Sequence, residues 1–168
     1  MGIANKRIAS AVLGAAVLGG LLIPGAAMAA PAGGTAVRSP VGIASAQGGS
    51  VDIISGTVET GAKIAKIIID AVAHAQNREG YVKSMVEGTF YEMGQHLNVL
   101  VIKDKHPKQV NVNGLAFQGR AHGDGYPDYM IYAFESGHVV NQGDGGYINW
   151  GFRGWFDKNG NTVDFRKP

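Results

Sequence analysis

Cysteine is absent from all 168 residues. The chain can draw no stability from disulfides, and it excludes thiol nucleophiles, thiolate metal ligands and dithiol exchange. Packing and backbone pairing must hold any fold together. The sequence also lacks the common catalytic signatures. Five histidines, His74, His96, His106, His122 and His138, form no HxxxH or HExxH pair, so no metal site is expected. No GxSxG elbow surrounds Ser84 or Ser136. Gly143-Asp144-Gly145-Gly146 lacks the lysine and helix that follow a phosphate-binding loop, and reads as a strand connection. Asp157-Lys158-Asn159-Gly160-Asn161 lacks the distal glutamate of a calcium loop, and reads as a hairpin turn. No cofactor is expected.

The one charge-free apolar run, residues 8–23, falls short of the ~20 residues of a membrane span and is diluted by Gly14, Gly19 and Gly20. Lys6 and Arg7 precede it, Pro24 and Gly25 break it, and Ala27-Met28-Ala29 follows. This is the pattern of a signal peptide, residues 1–29, cut after Ala29. Secretion is the expected localisation, with no membrane anchor after cleavage. The cut removes two of 15 basic residues and none of 13 acidic ones, leaving 13 of each. An excess of positive charge is what recruits nucleic acid and anionic membranes, so neither is an expected partner.

Residues 30–50 are rich in Ala, Gly, Ser and Pro and read as a flexible leader before a single domain at residues 51–168. From Val51 to about Asn77, apolar or small residues recur in steps of three and four, which predicts a helix. Gly56 and Gly61 weaken its start, placing the stable part near Thr57; Gly80 is the expected stop. A second helix is predicted from Tyr81 to Met93, ended by Gly94. The apolar face of the first helix is read as a lid over a sheet, since the opposite face is not cationic enough to seek membranes. Beyond Leu97 the pattern is β-like. Hairpin turns are expected at Asn113-Gly114, Ser136-Gly137 and Asn159-Gly160. The predicted fold is α+β: two N-terminal helices packed on a six- to seven-stranded antiparallel meander.

Residues 143–165 hold both tryptophans together with Tyr147, Phe152 and Phe156. In an unbroken strand, Ile148, Trp150, Phe152 and Phe156 share one face, read as core. Tyr147, Asn149, Arg153 and Trp155 share the other. Trp150 is therefore expected buried and Trp155 at least partly exposed. Tyr147, Arg153 and Trp155 form the candidate binding platform, because aromatic faces stack on sugars and arginine supplies directed donors.

Gly143 to Pro168 (GDGGYINWGFRGWFDKNGNTVDFRKP), Ala73 to Ile102 (AHAQNREGYVKSMVEGTFYEMGQHLNVLVI) and Asn113 to Phe117 (NGLAF) resemble the YvgO-type secreted stress-response proteins of bacilli. The likeness covers roughly residues 67–168, and the loop KDKHPKQ departs from it. The family's members are exported, are linked to general stress and include a protein described as antifungal. The resemblance implies a secreted, non-catalytic stress or antimicrobial factor and carries over no catalytic residue. Two other functions stay open on the residues alone. One is a module binding cell-wall or extracellular polysaccharide through the platform. The other is a secreted hydrolase, should Asp124, Asp128 and Glu135 converge. His122 and Asp124, in AHGDG, are read as part of a glycine-rich turn.

Overall fold

The computed structural model describes residues 41–44 and 48–168. The expected signal peptide and most of the expected leader lie outside the described residues. Among the described residues, ten strands and two helices form three layers: helices, a six-stranded sheet, and a four-stranded sheet. The class is α+β. The two helices lie between the second and third strands, and the strands form two sheets instead of one meander.

Strands β1 (Val41–Ala44) and β2 (Gly49–Ser55) pair antiparallel. This corrects two expectations. Part of residues 30–50 is paired strand and not leader, and residues 51–55 are strand and not helix. Val51 and Ile53 point inward while Asp52 lies between them, a period of two that the apolar Ile54 obscured. Helix α1 (Val58–His74) starts where Thr57 caps it, its side chain accepting the Thr60 N–H at 3.1 Å. Its buried stripe is Gly61, Ile64, Ala65, Ile68 and Ala71. Gly61 lets Ile53 approach; a Cβ there would lie 2.1 Å from the Ile53 side chain. Gly80 does not end α1. It sits in the first turn of α2 (Arg78–Glu92), where its N–H bonds the Asn77 side chain at 2.8 Å.

The larger sheet runs β1-β2-β5-β6-β3-β8 and the smaller β4-β7-β10-β9. Strand β3 (Asn98–Lys103) is central and covered on both faces. Val99 and Val101 meet the helices, while Leu100 and Ile102 meet the second sheet. Strand β6 (Tyr129–Phe134) divides its side chains in the same way.

Asn113-Gly114 does not close a hairpin. Strand β4 (Lys108–Asn113) pairs with β7 (Ser136–Asn141) in the small sheet, and β5 (Phe117–Gly123) pairs with β6 in the large one. Residues 108–141 are thus one long antiparallel ribbon, bent where Gly114 faces Glu135. The Glu135 N–H bonds the carbonyls of Asn113 and Gly114 at 3.1 and 3.2 Å. Gly114 holds φ +63°, and a Cβ there would lie 2.5 Å from the Glu135 side chain. Ser136-Gly137 is likewise strand and not turn. The C-terminal segment switches sheets in the same manner. Strand β8 (Trp150–Arg153) edges the large sheet, Gly154 turns the corner at φ +137°, and β9 (Phe156–Asn159) joins the small one. Asn159-Gly160 does close a hairpin, onto β10 (Thr162–Phe165).

Candidate functional site

The small sheet covers only part of the large one. Its packing partners come from β3, β6 and β8: Leu100, Ile102, Met130, Tyr132, Phe134, Trp150 and Phe152. Strands β2 and β5 contribute nothing to that cluster. Apart from the exposed Ile54, their outward residues are polar, with Asp52 opposite Arg120 and Ser50 opposite His122.

On this open ledge His122 stands between two carboxylates. Its Nδ1 lies 2.9 Å from Asp128 and its Nε2 3.0 Å from Asp52. A neutral imidazole has one N–H, so satisfying both contacts requires the charged ring. Burial disfavours that charge, but hydrogen bonds and attraction from Asp52 and Asp128 outweigh it and raise the His122 pKa. A ring with both nitrogens engaged has no free lone pair for base catalysis. Nor do the carboxylates meet at one point, because His122 separates them. Among the described residues, no group of three or more His, Asp or Glu side chains is arranged to hold a metal ion. Arg120 Nε lies 3.2 Å from Asp104, extending the ledge towards the loop after β3. Sequence reasoning missed Asp52, 70 residues from His122; its one signal was a lone carboxylate in an apolar stretch.

Asp124, Asp128 and Glu135 do not converge. Asp128 precedes β6 and Glu135 follows it. Seven residues of extended chain set them ~23 Å apart. Asp124 belongs to the turn, as expected, its N–H bonding the Gly48 carbonyl at 2.9 Å.

The other concentration of exposed side chains lies along β8. Trp150 is buried, 3% exposed, and its indole N–H donates to the Gly145 carbonyl at 2.9 Å. Trp155 is 39% exposed. Phe152 and Phe156 pack edge to face, 4.9 Å apart, on the small sheet's side. Arg153 turns to the helices. It pairs with Glu87 and lies 4.7 Å from the Phe90 ring and 5.2 Å from the Tyr91 ring. Trp155 touches the same Phe90, their centroids 6.1 Å apart. Arg153 and Trp155 are therefore neighbours, and Tyr91, which sequence reasoning overlooked, completes their patch. Its signal was a tyrosine beside Phe90 near the end of the second predicted helix.

Tyr147 stands apart, half exposed, with the Lys83 ammonium 4.8 Å from its ring. The expected faces fail at this point. Ile148 is exposed and Asn149 buried, because residues before Trp150 form a turn. The Gly146 carbonyl accepts N–H groups from both Asn149 and Trp150 in that turn. A cleft of about 140 Å3, lined by Lys83, Val86, Glu87, Tyr147 and Phe152, links Tyr147 to Glu87 and so to Arg153.

The chain is 49% identical over 105 residues to the stress response protein YvgO of Bacillus subtilis (strain 168). The resemblance to YvgO-type proteins holds. The match spans 62% of this chain and 65% of that YvgO protein. No family model matches. No solved structure matches.

Proposed function

We propose that this chain is a secreted stress-response protein that acts against other microbes by surface contact and without catalysis. The stress role is brought over from the name of the Bacillus relative, and export from the signal-like N-terminus. One observation supports action by contact: Arg153, pinned by Glu87 against Phe90 and Tyr91, beside the exposed faces of Tyr91 and Trp155. Such rings keep apolar surface in water at a cost that a partner would relieve. The patch and Tyr147 together form the contact surface, and a polysaccharide of the microbial wall is the second, finer reading of its target.

The test applies purified chain lacking residues 1–29 to fungal and bacterial cells, following growth and membrane permeability. Inhibition is expected, and Trp155→Ala is expected to weaken it while remaining folded. A broad panel in which no organism is inhibited would remove the antimicrobial half of the proposal.

A further inference from the structure

Among the described residues no strand pairs with the outer edge of β8, the last strand of the large sheet. The Lys103 N–H donates to the Asn149 carbonyl at 2.7 Å, and Ile102 stands opposite Trp150. In that antiparallel register Gly151 and Arg153 direct their backbone groups at β3, and Phe152 directs its N–H and carbonyl outward. A cleft flanks this edge on each face. One is the 140 Å3 cleft on the α2 side. The other, about 260 Å3, lies towards the small sheet and is lined by Tyr147, Trp150, Gly151, Phe152, Phe156 and Lys158. Tyr147 and Phe152 line both.

We infer that this double cleft on the β8 edge binds an uncharged polysaccharide chain, with Tyr147 as the ring on which a sugar stacks. The inference rests on the contact reading above and names the ligand class. Charge selects the occupant. Three of the cations around the edge carry their own carboxylates: Lys83 lies 2.6 Å from Glu79, Arg153 pairs with Glu87, and Arg166 lies 3.3 Å from Asp157. Lys158, in the cleft lining, is the exception among the described residues. A polyanion would face Glu79, Glu87 and Asp157, and a polycation would face Arg153 and Lys158. A neutral, hydroxyl-rich polymer faces no like charge and finds donors and acceptors fixed in place, including the free backbone pair of Phe152. Aromatic walls accept the apolar faces of its rings. Gly151 keeps the edge thin, since a Cβ there would lie 3.0 Å from Val82 and 3.5 Å from the Tyr147 ring.

The test measures retention of the purified chain on insoluble chitin and glucan and on an immobilised polyuronate. Measurements run at low salt and at about 1 M, where screening is complete within ~3 Å. Retention on an uncharged glycan, unchanged by salt, is expected. Tyr147→Ala is expected to weaken it about tenfold. Tyr147→Phe, which keeps the ring, should stay within about twofold. Thermal unfolding of each variant guards against misfolding. Salt-sensitive retention on polyuronate alone would overturn the inference, as would wild-type retention by Tyr147→Ala. Growth inhibition with no retention on any glycan would remove this ligand and leave the contact reading standing. Glycan retention without growth inhibition would keep this ligand and remove the antimicrobial half of the proposed function.

Discussion

The side-chain carbonyl of Asn98 accepts the backbone N–H of Trp155 at 2.7 Å, joining the central strand to the corner where the chain leaves one sheet for the other. The amide of the same buried residue donates to the Glu135 carbonyl at 2.7 Å and the Arg166 carbonyl at 2.9 Å. One side chain thereby serves both sheet-switching corners and the C-terminal strand's exit.

Removing that side chain strands three backbone groups. Asn98→Ala is expected to cost about 2–3 kcal/mol, read from urea unfolding midpoints at constant slope. A change below about 0.5 kcal/mol would show that water replaces the amide without loss.

Gly154 meets Asn98 from the other side. At φ +137° a Cβ there would lie 2.1 Å from Asn98 Oδ1. Gly154→Ala should destabilise by a similar amount. The two substitutions should not add, because each disrupts the same bonds. A double-mutant cycle is expected to give a coupling of about 1 kcal/mol or more.

The bend at Gly114 gives a third expectation. Its positive φ disfavours any side chain by ~1–2 kcal/mol, and Glu135 occupies the space a Cβ would need. Gly114→Ala should lower the melting temperature by several degrees. Gly160→Ala, at φ +57° with nothing within 4 Å, should cost only the backbone term.

His122 makes stability depend on pH. Its folded pKa is raised above the ordinary value near 6.5, so its contribution is complete below that value and is lost as pH rises through the folded pKa. All three side chains are about one-third to one-half exposed, and solvent screening limits the effect to about 0.5–1 kcal/mol. Unfolding followed from pH 6 to about 9 should show the decline. His122→Gln should flatten it. An unchanged decline in that variant would assign it to other groups.

Several features were legible in local sequence because local rules govern them. Thr57 caps the first helix, Asn159-Gly160 closes a hairpin, and Trp150 is buried while Trp155 is not. Asn113-Gly114 has the same turn chemistry as Asn159-Gly160 and a different outcome. Positive φ at glycine suits a hairpin and a sheet corner equally, and nothing local says which sheet the next strand joins. Val51 to Ser55 was misread because Val51, Ile54 and Val58 also fit a helical step, while Ile54 and Val58 are in fact exposed. In the candidate site, Arg153 and Trp155 were foreseen as neighbours. Tyr91 and Asp52 were not, because each reaches its partner across a layer or across dozens of residues.

The bent ribbon of residues 108–141 belongs to both sheets, so neither can come apart while the other stays whole. A chain without cross-links gains from this, since partial opening, which exposes sticky edges to neighbouring molecules, requires the whole molecule to open. Unfolding should be all-or-none, and protease resistance should vanish at one temperature for both halves.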